Sequence, residues 1–245
     1  MPPNERLGKR SNERSSEGSN EGSNEGPNEG SNEPSNPLRN EPSKPLDLSL
    51  DKPSSKRAAL VGAAKQLLWE RGYEAMSPRD VLDRSGAGHG ALYHHFTGKQ
   101  ALALAALEEI AAEEMHALDE IFLGRLPPLQ RIRGYLRRER SALRGCRLAR
   151  LANESAIESE AFRQPIAAFL EHIATHLQVC LRAAQQDGTL AGNLDSAAIA
   201  AALVAVIEGG FVMARVYWDP AKMRLAVEGA MQLLDSVSTV PKAKG

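Results

Sequence analysis

Cysteine and aromatic residues are scarce in this chain: two cysteines, Cys146 and Cys180, in 245 residues, and 4% Phe, Trp and Tyr together. Two cysteines exclude a disulfide framework and suit a reducing compartment, so a cytoplasmic protein is expected. Neither sign of charge dominates, since 30 basic residues face 31 acidic ones for a net charge of −1. Any surface for nucleic acid therefore has to be local. A long uninterrupted apolar run is also missing. The most apolar segment, Ser196 to Ile207, is shorter than the about 20 residues that span a bilayer, and Glu208-Gly209-Gly210 interrupt its extension. The opening Met-Pro-Pro-Asn-Glu has no basic region leading into an apolar stretch, so no signal peptide and no membrane partner are expected. Nucleophile-elbow, phosphate-loop and paired-carboxylate motifs are absent, which reads as a chain that is not an enzyme and needs no cofactor.

What is present divides into three parts. Residues 1–53 repeat Ser-Asn-Glu-Gly and close variants from about Ser15 to Asn36, with prolines thickening towards Pro53. With almost no large apolar groups, this low-complexity tail cannot offset its ordering entropy by burial and is expected to be disordered. Residues 54–100 carry the most specific pattern. Residues 101–240 are rich in helix formers with helical apolar spacing, have 3.6-residue rather than two-residue periodicity, and are expected to form a helical domain. The predicted fold class is all-α.

Within 54–100, Lys56 to Arg71 places Leu60, Val61, Ala64, Leu67 and Leu68 at amphipathic spacing, with Gly72 just past the helix end. Ser77, Pro78 and Asp80 spell a second helix start: a hydroxyl cap, a proline suited to the first position and a carboxylate three residues on. Ser85-Gly86-Ala87-Gly88 then allows a tight turn, and a short helix follows in which Leu92 and Phe96 share one face. Two short helices around a glycine turn are the layout of a helix-turn-helix DNA reader. Between Ser54 and Lys99, seven basic residues face four acidic ones. This local excess suits a salt-sensitive contact with phosphates.

The order of helix, Gly72-Tyr73, Ser77-capped helix, Gly86 turn, Leu92-Tyr93-His94-His95-Phe96 and Lys99 resembles the N-terminal domain of the TetR family of repressors. The resemblance implies backbone-phosphate contacts for Tyr93, Lys99 and the helix start at Ser77, Pro78 and Arg79. Lys56 and Arg57 would add charge there; their alternative is a solvated helix end. His89, Gly90, Ala91 and His94 would face the major groove, because the N-terminal part of a recognition helix meets base edges. The chain departs from commoner members, which often carry Ser, Lys, Arg or Thr here, so no operator sequence is readable. His89, His94 and His95 do not have the spacing of two metal ligands on one helical face.

Downstream, Gly145-Cys146, Leu151 to Glu154, the Ala-Gln-Gln-Asp-Gly stop at Ala184 to Gly188 and Glu208-Gly209-Gly210 resemble the ligand-binding domain of a TetR subgroup with LmrA-like and AcrR-like regulators. Helices are expected over Leu102 to Phe122, Pro127 to about Leu143, Ala149 to Ile157, Glu160 to Gln186, Ala197 to Tyr217 with an Asp195 cap, and Asp219 to about Val237. By analogy the last two pair with their copies in a homodimer. Ala198, Ala201, Ala202, Ala205 and Gly209 would let helices approach, and about half of Leu203, Val206, Ile207, Val212, Leu225, Val227, Met231 and Leu234 would face the chain's own core instead.

Candidate lining of an effector pocket is Cys146, Glu154, Phe169, His172, His176, Phe211 and Arg215. Cys146 has a plainer alternative as a small buried hydrophobe. His172 and His176 have metal-ligand spacing but no third ligand visible in sequence, so no metal is expected. The function so implied is a homodimeric regulator, a repressor binding double-stranded DNA at a palindromic operator and released by a small, partly hydrophobic organic effector. The alternative is a bundle that binds a ligand or protein partner without DNA.

Overall fold

The computed structural model describes residues 52–239, with side chains from Lys56 onward. The tail expected over residues 1–53 lies outside the described residues, except that Lys52 and Pro53 already belong to the first helix. Eight α-helices run through the described residues: α1 Lys52–Arg71, α2 Pro78–Ser85, α3 His89–His95, α4 Lys99–Phe122, α5 Pro128–Arg137, α6 Glu160–Gln186, α7 Ser196–Val216 and α8 Ala221–Ser236. No strand forms among them beyond an isolated bridge between Leu190 and Ser238.

The first three helices close one small core. Leu60, Val61, Leu67 and Leu68 of α1 meet Val81 of α2, Leu92 of α3 and Phe96, all buried, and α1 also packs on α4. The start of α2 follows from local chemistry. Ser77 Oγ accepts from the Asp80 amide at 3.1 Å, and Asp80 Oδ2 accepts from the Ser77 amide at 3.0 Å, with Pro78 at the head of the helix. Both orphan donors are thus satisfied reciprocally. Gly86 ends α2 at φ +66°, where a side chain would be strained.

The body stacks α4, α5, α6, α7 and α8, with α6 packed against α4, α5 and α7, and α7 against α8. Asp195 caps α7, accepting from the Ala197 and Ala198 amides at 2.9 and 3.1 Å. Three expectations fail here, each for a reason that spacing does not encode. Helix α5 stops at Arg137, not Leu143, because the Arg140 guanidinium folds back and donates to the carbonyls of Leu136, Arg138 and Tyr135 at 2.7 to 3.0 Å. These bonds satisfy the helix end that continued coiling would have filled.

The helix expected over Ala149 to Ile157 is instead two 3₁₀ turns, Ala149–Asn153 and Ser155–Glu158, split at an extended Glu154. Helix α7 forms over nearly the expected span, Ser196–Val216, but its apolar run is not ended by Glu208-Gly209-Gly210. It continues as a 21-residue apolar helix, long and apolar enough to cross a membrane by length and composition. At Gly210 a β-carbon would lie 2.5 Å from Met223 Sδ of α8, so the glycine lets the two helices close on each other.

Candidate functional site

The face of α2 and α3 is the first candidate. Lys56, Arg79, His89, Gly90, Tyr93 and His94 are exposed, and Pro78 and Ala91 are half-buried. The His89 and Tyr93 rings lie 5.0 Å apart on the outside of α3. A β-carbon added at Gly88 or Gly90 would meet nothing within 4 Å, so neither glycine is required by packing inside the chain. Four of the expected DNA contacts have internal partners, one of them Arg79, which lies 3.8 Å from Asp83 on its own helix. Arg57 lies 3.6 Å from Glu109 and over the Phe96 ring, the Ser77 hydroxyl is held by Asp80, and Lys99 donates to the Glu74 carbonyl at 3.2 Å above the Tyr73 ring.

A cavity of about 190 Å³ opens in the helical body. Glu114 and Leu118 of α4, Tyr135 of α5, Arg138, Arg140, the segment Gly145 to Leu148, Phe169 and Ile173 of α6, and Ile207, Glu208 and Phe211 of α7 line it. Cys146, Phe169 and Phe211 are therefore at its wall, whereas Glu154, His172, His176 and Arg215 are not. Arg215 stands exposed near the end of α7, and Glu154 faces the turn between α1 and α2, as described below. Of the lining residues that sequence did not suggest, Glu208 left a trace, a lone carboxylate inside an apolar helix. Glu114, Arg138 and Arg147 left none, because only folding brings them together.

Charge in the wall is largely neutralised from within. Arg138 donates to Glu114 at 3.0 Å, and Arg147 donates to Glu114 at 3.1 Å and to Glu113 at 3.3 Å. Burial raises the Glu208 carboxyl above its ordinary range, against smaller lowering effects from Cys146 and Arg140. Burial, then Glu208, pushes the Cys146 thiol up to about 12, so the reactive thiolate is scarce at neutral pH. Cys146 is a packing residue with a weakly polar sulfur. The Arg147 Nε is buried without a hydrogen-bond partner.

The Glu208 shift has a definite sign. A folded-state pKa raised above the unfolded value means that stability is lost as pH climbs from the unfolded pKa to the folded one, because only the unfolded chain then ionises freely. Replacing Glu208 by glutamine, which never ionises, is expected to raise the thermal midpoint at pH 7, and the gain should vanish towards pH 4, where both states hold the proton. Thermal scans of the two proteins across that range check this; a gain independent of pH would place the effect in packing.

Between cavity and reading head lies a clasp. The Trp69 indole of α1 donates to the Gly145 carbonyl at 3.0 Å, with the Arg144 guanidinium 3.5 Å over its ring. Beyond α1, Glu74 bonds to Glu154 and Ser155. The Glu74 amide donates to Glu154 at 2.8 Å, while the Glu74 carboxylate accepts from the Ser155 amide at 2.8 Å and its hydroxyl at 2.6 Å. Those two bonds from Ser155 hold the Glu74 carboxyl below its usual range. Tyr73 packs on Phe162 with ring centroids 4.6 Å apart. Gly145 thus both lines the cavity and holds the head.

His172 and His176 lie on α6 facing Asp119 of α4, with Nε2 atoms 2.8 and 3.2 Å from Asp119 Oδ1. The third potential ligand that sequence did not show is Asp119, 53 positions from His172. The expectation that no metal is held rested on its absence.

The exposed helix-turn-helix face, joined to a helical body with an internal cavity, defines a DNA-binding regulator. The family described as bacterial regulatory proteins, tetR family, matches residues 60–106, and that described as tetracyclin repressor-like, C-terminal domain, matches residues 128–230. Transcriptional regulator AcuR of Cereibacter sphaeroides is 29% identical over 66% of this chain and 77% of its own. The repressor AcnR of Corynebacterium glutamicum is 34% identical over 29% of this chain and 37% of its own. A crystal structure of a regulatory protein TetR from Rhodobacter sphaeroides superposes with a TM-score of 0.65 at 27% identity, covering 72% of this chain and 97% of that one. The chain belongs to the TetR family of transcriptional regulators, DNA-binding proteins whose C-terminal domain takes ligands.

Proposed function

We propose that the chain is a homodimeric repressor that binds a palindromic operator and is released by a compact organic effector. The observation that carries this reading is a segment shared between cavity and head: Gly145 to Leu148 line the cavity, while the Gly145 carbonyl accepts from the Trp69 indole of α1. An occupant that displaces that segment moves the hold on the head, so operator affinity changes through differential binding to two arrangements. The cavity is small beside the about 300 Å³ at which drug-sized sites begin. Its other charges are mutually paired, and the Glu208 carboxyl, whose charged form burial disfavours, and the unpartnered Arg147 Nε–H remain as polar handles. These features favour a compact, uncharged or weakly polar molecule with an acceptor oxygen.

The exposed face of α7 and α8 supports the dimer. Leu203, Ile207, Met231 and Leu234 are buried in the chain's own core, but Val212, Val216, Tyr217, Leu225 and Leu233 stand exposed beside Ala198, Ala201, Ala202 and Ala205. An apolar face of this kind calls for a partner, and a two-fold copy of itself supplies one. Two recognition helices would then meet half-sites about one helical turn apart or a little more.

The test is selection of bound genomic fragments by the purified protein, followed by fluorescence anisotropy on the recovered site across a salt series. A shared palindrome is expected, with affinity falling as salt rises and an effector weakening binding roughly 10- to 100-fold. Absence of any enriched palindrome at low salt would reject the reading.

A further inference from the structure

The geometry points to a divalent transition-metal site made by Asp119, His172 and His176, which would tie the end of α4 to the middle of α6. The three side chains offer ligand atoms that all lie within 4.8 Å of one another. Imidazole and carboxylate together suit zinc, which takes nitrogen and oxygen ligands at about 2.0 to 2.2 Å and leaves a fourth position for water in three-ligand sites.

Three features make this more than a chance cluster. His172 and His176 are one helical turn apart, so both rings leave the same face of α6, and both Nε2 atoms converge on a single oxygen, Asp119 Oδ1, at 2.8 and 3.2 Å. The histidine side chains retain only 23% and 20% of their exposure, so the ligand atoms are partly withdrawn from competing water. The His176 ring stacks parallel on buried Phe122 at 5.2 Å, which fixes the plane in which its nitrogen points. Without an ion, one carboxylate oxygen serves two imidazoles. A neutral imidazole that carries its proton on Nδ1 presents its Nε2 lone pair to a metal, so the two nitrogens and the carboxylate oxygen can serve as three separate ligands.

The inference stands apart from the proposed repressor activity, because none of these three residues lines the cavity or the reading face. It is tested on the full-length chain stripped of metal with a chelator and dialysed against Zn2+. One zinc per chain is expected, with Co2+ giving the visible absorption of a tetrahedral site and losing it to zinc. Asp119→Asn and His176→Gln should each weaken zinc binding at least about 100-fold, more than loss of an outer partner costs. His116→Ala, which changes an exposed histidine of α4 outside the cluster, should bind as the unaltered protein does. Saturating zinc should raise the thermal midpoint by roughly 5 °C or more in the unaltered protein and not in the two ligand variants.

Circular dichroism checks that each variant is folded, and His172→Gln replaces either one that is not. No stoichiometric zinc, or zinc retained undiminished in the ligand variants, would overturn the inference. The latter outcome would move the metal to other histidines, such as those of α3.

Discussion

Gly72→Ala should cost about 3 kcal/mol of stability and lower the thermal midpoint by roughly 6 to 12 °C. Gly72 sits at φ +86°, a backbone conformation that strains any side chain by about 1–2 kcal/mol. An added methyl would also crowd the Glu154 carboxylate, whose Cδ would be only 2.9 Å away. To make room, Glu154 must give up the bond it accepts from the Glu74 amide, worth about 1 kcal/mol. The two contributions separate in a double-mutant cycle. With Glu154→Ala already in place, Gly72→Ala should cost only the backbone part, and an unchanged cost would show that crowding contributes nothing.

The second strong effect concerns Gly90 and has opposite signs in two measurements. Gly90 is in α3, and a β-carbon there meets no atom of the chain within 4 Å. Gly90→Ala should therefore make the free protein up to about 1 kcal/mol more stable, because alanine loses less entropy in a helix than glycine. On the proposed reading, that same open space is where a major groove approaches the backbone. The added methyl should then weaken operator binding by roughly tenfold. Thermal unfolding and anisotropy on the same preparation check the pair. Higher stability with unchanged affinity would move the DNA contact away from the start of α3.

Legibility in the sequence followed the range of the interactions. The capped start of α2, the Gly86 turn and the Asp195 cap are bonds between residues close along the chain, and each could be seen before folding. The end of α5 could not, because a side chain beyond the helix, Arg140, supplies donors to its last carbonyls. Glu154 was expected in the cavity, but its bond reaches back 80 positions to Glu74. The pairing of Arg147 with Glu113 and Glu114, and of His172 with Asp119, likewise joins separate helices or loops. Helical periodicity marks which face is apolar, but not which polar groups other elements bring opposite it.

Helix α4 has 24 residues, so at about 1.5 Å per residue it is roughly 36 Å long. Its first turn, at Lys99, bonds the turn before α2, and Asp119 near its last turn is gripped from α6. Such a rod acts as a lever arm. From Asp119 back to Lys99 is about 30 Å, so a pivot of about 5° at the Asp119 end would move the Lys99 end by roughly 2.6 Å, against roughly 3.4 Å between successive base pairs. On the proposed reading, a small angular change beside α6 would therefore be felt at the reading head as a displacement comparable in size to the spacing of base pairs.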